Sequence, residues 1–145
     1  MKCLVLSHFN STIGPKIIKK VGDEILKDHL EEILGYIDYH EKGYFIHEFK
    51  EIKSANMIFS VKSPIARGSK EKIMISVVLI GDETDPRRYY HLLELFVKKF
   101  KQIKDVYQGF YLTEDNNSIA QEYLIKMEKL MFEIYKKFPL KSIVI

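Results

Sequence analysis

The chain has 145 residues, a length that predicts one domain with room for a hydrophobic core. Hydrophobic residues make up 46% of it and charged residues 30%, which excludes a disordered or low-complexity chain. The formal net charge is only +3, with lysine and glutamate mixed throughout, so no basic tail for nucleic acid stands out.

The single cysteine and the short apolar runs indicate the cellular compartment of the protein. Cys3 has no second cysteine to pair with, so a reducing compartment is expected. The apolar stretch before Ser7 is shorter than the core of a signal peptide, and the longest apolar run, 73–80, is far below the roughly 20 residues that a membrane helix needs. We therefore expect a soluble, cytoplasmic protein.

Residues 1–21 predict a β-hairpin. The apolar run 3–9 forms its first strand, and the segment 16–21 forms its second strand after a turn closed by Gly14-Pro15. Glycine tolerates positive φ and proline fixes φ where a strand begins, so turn geometry alone explains the pair without a binding role. Pro15 and the lysines that follow it place the second strand at a sheet edge, because both residue types block unwanted strand pairing.

One helix and three strands follow the hairpin. The helix is expected to begin near Asp23, whose carboxylate can cap its first amides. Its apolar stripe recurs at helical spacing and consists of Leu26, Leu30, Ile33, Leu34 and Ile37. Of the three strands, 44–49 is rich in aromatic residues, 55–61 alternates apolar with polar residues, and 73–80 is almost continuously apolar, which is typical of a strand covered on both faces.

Two helices complete the predicted elements. Asp85 as the cap and Pro86 at the first helical position mark the start of one helix. The other begins at residue 117 or 118 and is stopped by Pro139. A short tail over 139–145, which ends in three aliphatic residues, either pairs with a sheet edge or packs on the surface.

The element order β-β-α-β-β-β-α-α predicts an α+β fold in one domain over 1–145. The runs 4–6 and 73–80 are the most continuously apolar and belong in the centre of the sheet, whereas the lysine-bearing second strand belongs at its edge. The simplest arrangement is a five-stranded antiparallel sheet in the order 2-1-5-4-3. One helix then covers one face of this sheet, and the other two cover the opposite face.

This arrangement resembles the longin domain, and the resemblance covers essentially the whole chain. The segment 9–17, with Gly14-Pro15 in the first hairpin, is similar to the strand-turn-strand of longin domains in nitrogen-permease-regulator-like proteins, folliculin and DENN-type proteins. Roadblock domains are related to longin domains but begin with a helix. The lysine- and isoleucine-rich composition resembles that of small archaeal longin proteins.

The resemblance implies a longin/profilin-like fold and a non-catalytic protein-interaction module. The implied partners are a small GTPase, another longin or roadblock protein in a homo- or heterodimer, or both, in GTPase regulation or membrane trafficking. We expect no nucleic-acid partner, because the basic bias of the chain is weak. The resemblance implies contact with a membrane at most peripherally, through those partners.

The resemblance also directs attention to the loop 62–72. In nitrogen-permease-regulator-like proteins and folliculin, an arginine in the comparable loop acts as an arginine finger toward a small GTPase. Arg67 is the nearest match here, and Lys70 is the alternative when the following strands are aligned. The implied role is to offset charge on the transferring phosphoryl group, as in a GTPase-activating subunit. The residues by themselves also fit a solvated basic hairpin tip, so both interpretations stay open.

The first helix and the third strand carry candidate partner-binding residues, namely Tyr36, Tyr39, Tyr44 and Ile46. Longin and roadblock domains commonly pair through this helix and edge strand. Tyrosine suits such interfaces because it buries a large apolar area while it keeps a polar tip. The alternative is that these side chains only complete the rim of the intramolecular core.

No catalytic centre, cofactor or metal is expected from the remaining residues. The five histidines form no His-x-x-x-His pair and no cluster with the cysteine, and the glycines form no phosphate loop. His8 and His47 lie in predicted strands and are interpreted as hydrogen-bonded sheet residues. Nucleic-acid binding ranks last, because the aromatic residues follow core periodicity and do not interleave with the basic ones. The basic residues in question are Lys16, Lys19, Lys20, Arg67, Lys70 and Lys72.

Overall fold

The computed structural model describes residues 1–10, 12–81 and 85–139, so the predicted tail lies outside these ranges apart from Pro139. Five strands form the sheet, namely β1 (Lys2–Asn10), β2 (Gly14–Gly22), β3 (Gly43–Phe49), β4 (Ile52–Lys62) and β5 (Lys70–Ile80). The helices are α1 (Lys27–Tyr39), α2 (Tyr90–Lys101) and α3 (Asn117–Tyr135). No helix in the described ranges combines the length with the apolar character that crossing a bilayer demands.

The strands follow the order β2-β1-β5-β4-β3, and every neighbouring pair is antiparallel, as the sequence predicts. β1 and β5 lie in the middle, with Leu4 opposite Val77 and Leu6 opposite Ile75. Both strands are buried along almost their whole length, because the centre of the sheet is covered on both faces. β2 and β3 form the two edges.

Successive side chains of each strand point to opposite faces, and each face has its own core. α2 and α3 cover the larger core, whose members include Leu6, Phe59, Ile75, Leu93, Phe96, Phe100, Met127 and Ile134. α1 covers the smaller core, whose members include Cys3, Val5, Ile33, Ile37, Ile58 and Met74. The prediction of one helix on one face and two on the other is therefore confirmed.

The predicted start of α1 near Asp23 is wrong. Asp23 instead continues the pairing at the edge of the sheet: its N–H donates to the carbonyl oxygen of Lys2 at 2.9 Å, and its carboxylate accepts from the N–H of Lys2 at 3.0 Å. α1 begins at Lys27, and Leu26 at its cap position is 70% exposed and makes no side-chain capping hydrogen bond. Because the Asp23 carboxylate binds a strand amide, it does not cap the helix.

The predicted starts of the last two helices are confirmed. The Asp85 carboxylate accepts a hydrogen bond from the N–H of Arg87 at 3.0 Å, and Pro86 opens a 3-10 turn that leads into α2. α3 begins at Asn117, as predicted, and it ends ahead of Pro139. Between these helices a further 3-10 turn, Val106–Phe110, brings aromatic side chains against the end of β1.

Candidate functional site

The loop between β4 and β5 is ordered by its own hydrogen bonds. The hydroxyl oxygen of Ser63 accepts from the N–H groups of Ile65 and Ala66 at 3.3 and 3.2 Å. The N–H of Ser63 donates to the carbonyl oxygen of Ser69 at 3.0 Å, which closes the base of the loop. Arg67 therefore stands at the exposed tip of a defined turn.

The cations of this loop differ in how they are held. Within the described ranges, neither Arg67 nor Lys70 takes part in an ion pair, and both side chains are exposed. Lys72 is held instead: its ammonium group donates to the carbonyl oxygen of Ile37 at 2.5 Å and lies 5.6 Å from the centre of the Phe9 ring. Arg67 and Lys70 consequently remain available to a partner or ligand.

A cleft of about 460 Å³ separates this loop from the turn between β1 and β2, and we call it the loop cleft. Its lining includes Phe9, Asn10, Thr12, Ile65, Arg67, Lys70 and Tyr111. On the turn side, the side-chain oxygen of Asn10 accepts from the N–H groups of Thr12 and Ile13 at 2.8 and 3.1 Å. Both walls of the loop cleft are thus ordered by local hydrogen bonds.

A buried acid network lies beneath the loop cleft. Glu71 is 3% exposed, accepts from the Tyr111 hydroxyl at 2.7 Å, and lies 2.7 Å from Nε2 of His8. The His8 ring stacks on Phe110 with ring centres 4.1 Å apart. Burial lowers the pKa of His8, so the neutral ring donates its Nε2–H to the carboxylate; burial and the hydrogen bond to Glu71 raise the pKa of Tyr111 to about 12.

Sequence reasoning found only part of this network. His8 and His47 were interpreted as hydrogen-bonded sheet residues, and the contacts His8–Glu71 and Tyr36–His47 confirm that interpretation. The role of Glu71 was missed. A signal existed, since Glu71 lies two residues before the apolar run 73–80 of β5, between Lys70 and Lys72.

Gly14 and Pro15 lie where the hairpin turn enters β2. Gly14 has φ of +95°, a conformation that side chains with a Cβ rarely adopt, and no atom lies within 4 Å of the position that its Cβ would occupy. Pro15 pairs with Phe9 at the edge of the sheet. Backbone geometry is therefore a sufficient reason for this pair of residues.

The four predicted partner-binding residues do not form one patch. Tyr36 is buried against the α1 face of the sheet, where its hydroxyl lies 2.5 Å from Nδ1 of His47, whereas Tyr39 at the end of α1 is 85% exposed. Tyr44 and Ile46 lie opposite Met57 and Ala55 of β4, and Met57 and Ala55 belong to the core on the other face.

Three of the four residues lie in or against the edge strand β3: Tyr44 and Ile46 belong to it, and Tyr36 contacts its His47. Tyr44 packs edge-to-face on Tyr90 with ring centres 4.7 Å apart, and Phe45 stacks on His40 at 3.9 Å. All residues from Gly43 to His47 are partly exposed. None of them has an acidic side chain, and none is a lysine or an arginine. Within the described ranges no strand pairs with the outer side of β3.

The two edges of the sheet differ in their protection. β2 carries Pro15 at its start and three lysines along its length, which are Lys16, Lys19 and Lys20. Lysine and proline are residues that keep an edge from pairing with another strand. The central part of β3 has neither residue type, so β3 is the edge that is open to pairing.

A second concave surface, which the sequence did not suggest, lies between β2 and α1. It is a groove of about 730 Å³, with apolar lining from Ile17, Ile25, Leu26, Leu30 and Leu34. Lysine and glutamate side chains also line the groove, and two pairs of them lie close together: Lys20–Glu24 at 4.0 Å and Lys27–Glu31 at 3.6 Å.

The comparisons with known proteins give no identification: no protein-family model matches the chain, and no curated protein matches its sequence. Among the described residues, no group of three or more histidine, cysteine, aspartate or glutamate side chains is placed to hold a metal ion. The fold and the two surfaces at β3 and at the loop cleft therefore carry the functional argument.

Proposed function

We propose that this chain is a protein-interaction module of the longin type. It binds a small GTPase, another longin or roadblock protein, or both, in GTPase regulation or membrane trafficking. The observation that carries the proposal is the open edge of β3 beside the exposed end of α1, at the opposite side of the sheet from the protected edge of β2.

Strand addition at β3 is the proposed mode of binding. A partner strand that lies along β3 satisfies the outward N–H and C=O groups of that strand, and neighbouring side chains then set specificity. Tyr39, which is 85% exposed, together with the half-buried Phe45 and Ile46 would supply the apolar and aromatic contacts. This arrangement requires no catalytic group of the chain's own.

The fold and the thiol support the rest of the proposal. The order β2-β1-β5-β4-β3 with one helix on one face and two on the other is the arrangement that the longin resemblance implies. We place the protein in the cytoplasm, where a free, buried thiol such as that of Cys3 is stable. Any membrane contact would come through its partners.

Light scattering coupled to size-exclusion chromatography tests pairing through β3. The native chain should show a molar mass that rises with concentration, or should bind a purified small GTPase loaded with GDP or a GTP analogue. Ile46→Lys should abolish the association, because lysine on an edge strand opposes pairing. Ile125→Lys, a change at a 53% exposed isoleucine of α3, is the matched control. A native chain that stays monomeric and binds no GTPase contradicts the proposal.

A GTPase-activating subunit that uses Arg67 is the second candidate function. It is favoured by the ordered loop, which presents an exposed guanidinium group without an ion pair in the described part of the chain. Such a group stabilises the charge that develops on the transferring phosphoryl group, an effect of roughly 10³–10⁵ in rate. GTP turnover by a cognate GTPase should then fall with Arg67→Ala and stay unchanged with Arg88→Ala. Equal rates for native chain and Arg67→Ala exclude Arg67 from hydrolysis.

A further inference from the structure

We propose that the loop cleft is itself a binding site for a small organic phosphate. The inference concerns the isolated chain and stands apart from pairing through β3. It rests on the charges that line the cleft, on the state of the one acid among its described lining residues, and on the apolar surface beside the cations.

Positive charge in the loop cleft is not cancelled by an accessible acid. Arg67 and Lys70 are exposed and take part in no ion pair within the described ranges, and Lys72 adds a third positive charge to the lining. Glu71 is the acid of the lining, but it is 3% exposed and its carboxylate already interacts with His8 and Tyr111. Arg67 and Lys70 are therefore left to bind an anion from solution.

Phosphate suits this arrangement better than carboxylate. A phosphate monoester carries about −1.5 to −2 charges near neutral pH, which matches two free cations, whereas a carboxylate carries one negative charge. The guanidinium of Arg67 can bind two phosphate oxygens at once. On the opposite wall, the side-chain oxygen of Asn10 is occupied by turn amides, so its NH₂ group is the part left to donate to an anion.

The apolar part of the lining calls for an organic body on the phosphate. Ile65 is 59% exposed beside Arg67, and the rings of Phe9 and Tyr111 line the same cleft. A volume of about 460 Å³ exceeds that of a bare phosphate ion and falls in the range of small-molecule sites. A planar or aliphatic group attached to the phosphate would cover this surface.

Isothermal titration calorimetry with phenyl phosphate, inorganic phosphate and benzoate tests the proposal on the full chain. Phenyl phosphate should bind more tightly than the other two, because it offers both the double charge and the apolar body. The double variant Arg67→Ala/Lys70→Ala should weaken its binding at least about tenfold, as expected when charge-assisted hydrogen bonds are lost. The control Arg88→Ala/Lys136→Ala removes two exposed cations elsewhere and should leave the affinity unchanged.

Three outcomes would overturn the inference. The first is no saturable binding of phenyl phosphate; the second is equal weakening in the test and control variants. The third is binding only to phosphatidylcholine vesicles that contain phosphatidic acid, which would assign the cations to a membrane surface. Since all four substituted side chains are exposed, circular dichroism should show a native fold for both variants. Amide NMR shifts centred on Phe9, Asn10, Thr12 and 65–71 would locate the bound phenyl phosphate.

Discussion

A single buried carboxylate, that of Glu71, joins three segments at the loop end of the sheet. Glu71 belongs to β5, His8 to β1, and Tyr111 to the segment between α2 and α3. A buried ionised group is tolerated only when its oxygens are hydrogen-bonded. This contact therefore fixes where the segment around Tyr111 sits on the sheet, and with it one wall of the loop cleft.

Glu71→Gln should destabilise the fold, because hydrogen bonds to a charged group are replaced by weaker ones and only one amide oxygen remains for the two donors, His8 and Tyr111. We expect a loss of about 1.5–3 kcal/mol in the free energy of unfolding, measured by urea denaturation. Glu128→Gln, which removes an ion pair of partly exposed side chains with Lys19, is the control and should change little. Equal losses would show that Glu71 contributes no more than a surface pair.

Protonation of His8 should make stability depend on pH. Burial lowers its pKa below the ordinary value near 6.5, Lys16 acts in the same direction, and Glu71 opposes both. The unfolded chain then takes up this proton at a higher pH than the folded chain. Stability therefore rises with pH across the window below about pH 6.5 and is lost on acidification.

Urea denaturation of the native chain and of His8→Gln, between about pH 7.5 and pH 5.5, measures this contribution. The native chain should lose more stability than the variant over this interval, since glutamine does not titrate. Carboxylates that do not contact His8 cancel in the comparison. Parallel pH profiles would show that the pKa of His8 is the same in the folded and unfolded states.

Among the secondary-structure elements, the close approach of β1, β2 and α3 depends on Gly22. Its φ is +122°, and a Cβ there would lie 2.7 Å from the carbonyl oxygen of Lys2 and 2.8 Å from Cε2 of Tyr135. Gly22→Ala should therefore cost more than about 2 kcal/mol of stability. Gly14→Ala meets no atom within 4 Å and should cost only the backbone strain, about 1–2 kcal/mol. Thermal denaturation of both variants tests whether Gly22→Ala loses more stability than Gly14→Ala. Equal losses of stability would contradict the prediction.

The start of α1 offers a stabilising change. Leu26 has the extended backbone of a cap residue, with φ of −54° and ψ of 137°, but makes no side-chain capping hydrogen bond. Leu26→Asp should raise the free energy of unfolding by about 1 kcal/mol, because aspartate accepts from the first free amides and interacts favourably with the helix dipole. Leu26→Ala removes the same exposed side chain without a cap, and a gain of equal size there would refute the capping explanation.

The start of α2 could be predicted from the sequence and the start of α1 could not, for a physical reason. α2 was located because Asp85 and Pro86 act on their immediate neighbours. The start of α1 was misplaced because Asp23 binds Lys2, which is distant in sequence and adjacent only once β1 and β2 have paired. A capping residue therefore predicts the start of a helix reliably only when the group that it binds is close to it in sequence.

For the whole molecule, the contrast between the two edges predicts a pattern of hydrogen exchange. Amides of β1 and β5 should exchange slowest, since both strands are buried and paired on both sides. If the chain pairs through β3, the outward amides of β3 should become protected as concentration rises, while those of β2 stay unprotected. Exchange followed by mass spectrometry at several concentrations measures this. Protection that appears at β2 instead would reverse the assignment of the open edge.

The sequence by itself determined the element order, the sheet order and the side of each helix, because apolar runs, lysine-rich edges and caps act through burial and short-range geometry. Only the tertiary structure decided which side chains meet. It separated Tyr44 and Ile46 from Tyr36 across the sheet, joined Glu71 to His8 and Tyr111, and placed Arg67 opposite Asn10. Such contacts join residues far apart in the chain, so their existence depends on strand register and packing, which no local pattern records.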